Sequence, residues 1–368
     1  MIRRLGFAFL VLGVAAAAHA QTAVTPTPPD FPRGVISGYL FGDWYDNLEG
    51  NPAHNYDAAG NDLGNANIGN NNPPTPITRD LNGFQLRRVY FQLDNDLSIK
   101  YSTRFRLEAD SKSLTSDGKI GVAVKAAYMK VRSLYPRADL FFGVIPTPTF
   151  ENSEDYWAYR SIEKTVADFR GVAPSADVGA EVKGFADGQH RVGYTVMLGN
   201  GGGQKTETNR DKRVYVALPL RWKDVRLEPY VDYENVFNHR DRATYKVFAG
   251  YDIPHGAVGY EYVEMVGHKP AGVYSYAVAH SLFARYAFTP MVAGFARMDL
   301  WSPDNNTANR VNQQMFIVGV DWQPLKDVHF MPNLENMQYV AKGHGVEPGF
   351  GDLQARLTLY WKFTKPQS

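Results

Sequence analysis

Leu97-Ser98-Ile99-Lys100-Tyr101-Ser102-Thr103-Arg104-Phe105-Arg106-Leu107-Glu108-Ala109-Asp110 decides the fold, because its odd positions are apolar or Thr and its even positions are Ser or charged. A period of two sends successive side chains to opposite faces of an extended chain, so this is one strand with an apolar and a polar face. The split recurs at Val214, Val216, Leu218, Leu220 and Trp222 against Arg213, Tyr215 and Arg221. It returns at Val225, Leu227, Val231 and Tyr233 against Arg226, Glu228, Asp232 and Glu234. At the end of the chain, Leu353, Ala355, Leu357, Leu359, Trp361 and Phe363 alternate with Asp352, Gln354, Arg356, Thr358, Tyr360 and Lys362. Runs of about ten residues or more outlast the five or six of an ordinary soluble strand and suit a tilted strand crossing a bilayer.

The connections between these runs alternate in length. Tight turns are predicted at Asp94-Asn95-Asp96, Tyr135-Pro136-Arg137, Asp187-Gly188, Lys223-Asp224, Pro254-His255-Gly256, Thr289-Pro290 and Pro324-Leu325-Lys326-Asp327, each built on Gly, Pro, Asn or Asp. Long polar segments separate them: Asn47 to Asn82, Ser111 to Lys119, Pro148 to Ser175, Gly199 to Arg210, Asn238 to Arg242, Gly267 to Ala271, Ser302 to Val311 and Asn336 to Gly349. Short turn, long loop, with both termini on the short side, implies an all-β transmembrane antiparallel barrel of about 16 strands, with periplasmic turns and outer loops. In hydrocarbon every backbone N–H and C=O needs a partner within the protein, so the last strand is expected to pair with the first. A barrel of that size leaves an aqueous lumen, and the even face of the Leu97 strand lines it with charge. Passage of solutes is the default expectation.

Composition agrees. The chain has 368 residues, 44% hydrophobic and 21% charged, with a mean hydropathy of -0.35, which excludes a bundle of membrane helices. Lys+Arg 39 against Asp+Glu 38 leaves no surplus of positive charge to hold a nucleic acid, so none is expected as a partner. With Cys 0, disulfides, thiolate metal sites and Cys nucleophiles are all absent. The aromatic share of 13% exceeds what an ordinary core needs. Rings at strand ends, Trp44 with Tyr45, Trp222, Tyr251, Trp301, Trp322 and Trp361 with Phe363, fit the girdles at the two membrane interfaces.

The N-terminus reads as a signal peptide over residues 1–20: Arg3 and Arg4, an apolar run from Leu5 to Ala17, and small residues in Ala18-His19-Ala20, with cleavage before Gln21. Residues 21–33, with Pro26, Pro28, Pro29 and Pro32, read as an extended lead-in, and the barrel is expected over 34–368.

At this point the chain resembles a known family. Leu86-Arg87-Arg88-Val89-Tyr90-Phe91, running into Arg104-Phe105-Arg106-Leu107-Glu108-Ala109-Asp110, is similar to the phosphate-selective porin O and P family of Gram-negative outer membranes. So are Lys125-Ala126-Ala127-Tyr128, Phe142-Gly143-Val144-Ile145-Pro146-Thr147-Pro148, Tyr159 to Thr165 and Asp177 to Gly184. The resemblance covers about Gly83 to Asn200, together with the last strand, Leu353 to Phe363. It implies a sixteen-stranded outer-membrane porin, usually trimeric, whose long loop after the fifth strand folds into the pore. Its partners would be outer-membrane lipids, lipopolysaccharide and small hydrophilic solutes or anions. The family's dense positive lining is replaced here by Arg mixed with Glu and Asp.

The loop Pro148 to Ser175 is too long for an ordinary hairpin connection, and Ser153 to Arg160 starts like a helix with Ser153 as N-cap, so an ordered inserted loop is expected at 148–175. Lys100, Arg104 and Arg106 project inward from one strand, and Arg160, Lys164 and Arg170 come from the loop. These six are the candidate pore-lining, anion-binding residues, because rings of Arg and Lys attract anions and Arg can grip a phosphate or carboxylate by two parallel hydrogen bonds. Glu108, Asp110, Glu163 and Asp168 are near enough in sequence to neutralise them as ion pairs that brace the loop. Mild anion preference is the expectation, with phosphate the narrower one. Trp361 and Phe363 are the candidate assembly signal, an aromatic pair closing the outward apolar row of the last strand.

No catalytic or metal constellation and no cofactor is expected. The nine histidines show no metal-binding spacing, and there is no Gly-x-Ser-x-Gly elbow. Gly201-Gly202-Gly203-Gln204-Lys205-Thr206 breaks the order of a phosphate-cradling loop and reads as an outer loop. Two other classes stay open. One is a barrel enzyme acting on lipid through His280 with Ser275 or Ser281, and the other is a secreted soluble β-rich carbohydrate-binding protein.

Overall fold

A computed structural model of the chain describes residues 31–50, 77–115, 117–236, 241–269, 273–306, 308, 310–343 and 351–366; the signal and most of the lead-in lie outside them. Seventeen strand segments run up and down around one closed sheet. They are β1 (Arg33–Glu49), β2 (Asn82–Asp96), β3 (Tyr101–Leu114), β4 (Ile120–Tyr135), β5 (Ala138–Pro146), β6 (Ala176–Phe185), β7 (Gly193–Gly199), β8 (Lys212–Ala217) and β9 (Leu220–Trp222). The rest are β10 (Val225–Asn235), β11 (Arg242–Ile253), β12 (Gly256–Lys269), β13 (Val273–Thr289), β14 (Val292–Ser302), β15 (Arg310–Leu325), β16 (Val328–Lys342) and β17 (Asp352–Pro366). β8 and β9 pair with the same strand, β10, and are two halves of one stave interrupted at Pro219, which has no N–H for the ladder. The wall therefore counts 16 strands.

Closure is made by β1 and β17, antiparallel from Val35 opposite Pro366 to Glu49 opposite Leu353. On the strands the period of two becomes inside and outside. In β10, Glu228, Tyr230, Asp232 and Glu234 are buried inward while Val225, Leu227, Val231 and Tyr233 are exposed outward. Trp44, Trp222, Tyr251, Trp322 and Trp361 stay exposed on the outside, whereas Tyr45 and Trp301 are buried on the inner face. Those two belong to the lumen rather than to a girdle.

Several strands continue into stretches whose polarity reads as loop. β16 runs to Lys342 although Asn336 onward is polar, because the ladder continues through Asn336 opposite Phe316 and Gln338 opposite Gln314. Polar outward side chains there mark the end of the apolar band and not the end of the strand.

Two irregularities matter for the lumen. Where β1 meets β2 the register shifts between Phe41, opposite Arg88, and Gly42, opposite Leu86, so Arg87 is an extra residue. Where β3 meets β4, Arg106 faces Ala126 and Leu107 faces Val124, which leaves Lys125 extra. A bulge places two consecutive side chains on one face, and here both Arg87 and Arg88 are buried inward.

Candidate functional site

The connection 147–175 lies inside the barrel. It carries α1 (Glu151–Trp157) and α2 (Val166–Phe169). Ser153 sits within α1 and not at its N-cap: the cap is Phe150, and the Ser153 hydroxyl donates to the Phe150 carbonyl at 3.2 Å and to Glu261 on β12 at 2.9 Å.

The lumen is aqueous, so apolar loop side chains gain by burial against an apolar patch of its wall. Two such patches exist. Phe150, Val166, Ala167, Val172 and Ala173 pack on Met197, Tyr215, Tyr230, Val263 and Trp301. Tyr156, Trp157, Tyr159, Ile162 and Phe169 pack on Phe248, Phe283, Phe295, Met315 and Ile317. Trp157 is fully buried, edge-on to Phe283 at 5.2 Å and to Phe295 at 6.1 Å, with its indole N–H donating to the Glu163 carbonyl at 2.9 Å. Bare backbone makes room for these rings. A Cβ on Gly250 would stand 2.7 Å from the Tyr156 ring, and one on Gly259 2.3 Å from Phe283.

Arginines of the wall then hold the loop's exposed carbonyls. Arg87 donates to the carbonyls of Ser161 at 3.0 Å and Ile162 at 2.7 Å, Arg356 reaches Ile162 at 3.4 Å, and Arg297 bonds the Lys164 carbonyl. Each is matched by acid: Arg87 by Glu163 at 3.4 Å and Asp43 at 3.5 Å, Arg356 by Glu335 at 3.1 Å, Arg297 by Asp299 at 2.5 Å.

What stays open is a cavity of about 260 Å³ between the loop and the wall of β1–β4. The wall supplies Tyr39, Tyr90, Arg104, Arg106 and Lys125, and the loop supplies Glu151, Glu154, Asp155 and Arg160. Most of these charges are spent on each other. Arg104 pairs with Asp94 at 2.6 Å, Lys125 with Glu108 at 3.1 Å, and Arg160 with Glu154 at 2.6 Å and Asp168 at 3.1 Å. Glu151 pairs with Lys183. Arg106 donates to Gln92 at 2.6 Å and faces the Tyr90 ring at 5.3 Å, and among the described residues it has no carboxylate partner. Asp155 makes no ion pair among them either. The unmatched charges of the constriction are thus one guanidinium on the wall and one carboxylate on α1.

Their settings differ in proton affinity. Burial, reinforced by the charges of Glu151 and Glu154, pushes the Asp155 carboxyl up. Burial would raise Asp168 as well, but Lys164, Arg160, Lys125 and Arg88 outweigh it and hold that carboxyl well below the usual range.

Of the six sequence candidates, the structure brings Arg104, Arg106 and Arg160 to one cavity. Lys164 lies beside it, 3.7 Å from Asp168. Lys100 is exposed in the tight turn before β3, and Arg170 is buried elsewhere, bonded to Gln313 and stacked on Phe169 and Trp301 at 4.8 and 5.1 Å. The bracing acids also differ in part: Glu108 and Asp110 engage Arg88, while Arg104 takes Asp94. The residues missed were Arg87, Arg88 and Lys125, and their signal was visible, since Arg87-Arg88 and Lys125-Ala126 each break the period of two.

Two further readings meet the geometry. Adjacent strand residues point oppositely, and His280 bonds the Tyr260 hydroxyl at 2.8 Å on the outer face while Ser281 is buried on the inner one. Ser275, also on the inner side, donates to the Gly267 carbonyl. His280 therefore meets neither serine. The Gly201 and Gly203 N–H groups are taken by Asp177, at 2.7 and 3.1 Å, so a carboxylate of the chain itself fills the glycine loop.

At the end of β17, Phe363 stands opposite Gly38 with its ring over that glycine, 5.5 Å from the Trp361 ring.

No protein-family model and no curated protein matches the chain in sequence. Solved structures do match in fold. The outer membrane channel DcaP of Acinetobacter baumannii superposes with a TM-score of 0.62 at 11% identity, over 90% of this chain and 97% of that one. An anion-selective porin from Comamonas acidovorans gives 0.63 at 11%, over 90% and 100%. An outer membrane protein of Vibrio cholerae, OmpT in its trimer form, gives 0.59 at 10%, over 90% and 99%. The chain has the porin fold.

Proposed function

We propose that the protein is an outer-membrane channel for passive diffusion of small hydrophilic solutes, with a mild preference for anions. The observation that carries this is the constriction: a cavity of about 260 Å³ inside a closed barrel, narrowed by an anchored loop, in which Arg106 alone among the wall cations lacks a carboxylate among the described residues. A guanidinium free of acid attracts anions, and the loop carboxylates opposite keep the preference modest. Phosphate is the narrower proposal. It is the weaker of the two, because a second fork beside Arg106 would have to come from Arg104, which Asp94 already occupies, or from Arg160, which Glu154 and Asp168 occupy.

Support for the setting comes from the fold, from the outward apolar rows that suit lipid and lipopolysaccharide, and from similar structures described as porins or outer membrane channels, one of them a trimer. A homotrimer belongs to the same proposal. Single-channel recording in planar bilayers tests it: the protein conducts, and its zero-current potential in a salt gradient lies on the anion side. Absence of conductance overturns the channel, and a potential on the cation side overturns the preference.

Trp361 and Phe363 are proposed as the signal read during barrel assembly, on the strength of their place at the closing seam. Phe363→Ser lowers outer-membrane insertion while synthesis stays normal; unchanged insertion removes that role.

A further inference from the structure

Below α1, at the end of the barrel that carries the tight turns, a second cavity of about 350 Å³ opens. Its charge is not balanced as the constriction's is. Arg221 on β9 and Arg226 on β10 stand directly opposite each other in register, a cross-strand placement in which like charges repel. Arg226 is relieved by Asp252 at 3.1 Å. Arg221 has no side-chain partner among the described residues, and its backbone N–H donates to the Arg191 carbonyl at 2.8 Å, which pairs the two main chains. Arg191 rests on the Trp222 ring at 5.1 Å and has no carboxylate partner among those residues either. Of the acids that line the cavity, Glu151 is held by Lys183 and Glu228 by Lys246, and Asp155 alone is unmatched.

The second property is flat apolar surface. Phe185 and His190 stack with ring centroids 4.3 Å apart and planes within 15°. Phe248, Pro148 and Pro219 complete that side. A hydrated inorganic ion has no use for such a wall, whereas an aromatic ring gains both burial and stacking from it.

We infer that this mouth is a subsite for an aromatic carboxylate, whose carboxylate meets Arg221 and whose ring lies along Phe185 and His190. The inference rests on the channel reading above and names a solute class for it. The Arg221 guanidinium supplies charge-assisted hydrogen bonds to a single carboxylate, with the charge of Arg191 lining the same cavity, and the solute would be held where it leaves the constriction.

Benzoate is the probe, compared with inorganic phosphate at equal concentration, both added on the turn side of a single channel in a planar bilayer. Benzoate interrupts the current saturably and at lower concentration than phosphate. Arg221→Gln raises its half-blocking concentration about tenfold, the worth of one charge-assisted bond. Phe185→Ala weakens the benzoate effect and leaves that of phosphate unchanged. Equal action of benzoate and phosphate on the unaltered channel, or indifference of the benzoate effect to Arg221→Gln, overturns the subsite. Equilibrium dialysis of benzoate against the barrel in detergent, with micelles alone as control, reads binding without conduction and serves any variant that inserts poorly. A channel that passes anions yet ignores benzoate refutes the subsite and leaves the channel reading intact; a protein that does not conduct refutes the latter, and dialysis then decides the former.

Discussion

The inner wall from β7 to β16 and the inner wall from β1 to β4 face the same lumen and solve opposite problems. The first is dry: aromatic and Met side chains meet the loop, and Arg297 on β14 and Glu261 on β12 are buried where they hold it. The second is wet: Tyr39, Arg104, Arg106 and Lys125 border open space. The difference teaches that a barrel's interior is not one environment. Where the loop's apolar side chains dock, the wall behaves as the core of a small soluble protein; along β1–β4 the loop is held by Arg87 through its carbonyls, and the remaining wall charges border open space. The proposed passage of anions uses the side with the weaker packing.

Breaking the dry side gives the largest effect. Trp157→Ala removes a fully buried ring and leaves a hole that the neighbouring aromatics close only in part, at a cost of about 3–5 kcal/mol to loop docking. The loop then becomes sensitive to protease, and single-channel conductance rises. A protected loop and unchanged conductance would show that the arginine contacts alone suffice to hold it.

Reversing the wet side comes next. Arg104→Glu together with Arg106→Glu moves the zero-current potential to the cation side, and Lys100→Gln, out in its turn, leaves the potential where it was. If the double variant changes nothing, those side chains stand outside the narrow zone.

The smallest effect is titration at the boundary between the two sides. The Asp155 carboxyl is raised, so on acidification it takes up its proton before an ordinary carboxylate does, removing negative charge from the constriction. Anion preference therefore grows as pH falls from neutral toward the ordinary carboxylate range, and Asp155→Asn abolishes the change. The part of the loop anchoring that Asp168 supplies does not confuse this measurement. Asp168 is lowered in the folded state, so the stability it contributes is complete above the unfolded carboxyl value of about 3.9 and is lost only as pH falls below that toward its folded value. A pH response that survives Asp155→Asn assigns the titration to another group.

The wall was legible in the sequence and its lining only partly so. Period-two alternation and the contrast of short turns with long loops are local signals, and they lead directly to a closed barrel of sixteen strands. Arg104 and Arg106 were placed on the inner face for the same reason, since both sit on a regular strand. Lys100 was misplaced because alternation continues through the turn residues that precede β3. Arg170 was misplaced because a loop's charge says nothing about which way the loop's backbone turns it. Arg87, Arg88 and Lys125 sit at bulges: the break in alternation shows on one strand, but which residue is extra is fixed only by its pairing with the neighbouring strand. The seat for Tyr156 on Gly250 is of the same kind, with partners almost a hundred residues apart.

The seam between β1 and β17 joins the two ends of the described chain, Val35 to Pro366. Closing so large a loop forfeits more chain entropy than any neighbouring hairpin, and contacts distant in sequence form slowly. Ribosomal synthesis therefore delivers the first strand long before its second neighbour exists. For all that time one edge of the nascent sheet offers a row of unpaired N–H and C=O groups, a template for mispairing with any extended chain nearby. Whatever escorts the polypeptide to its membrane has to keep that edge covered until the final residues arrive.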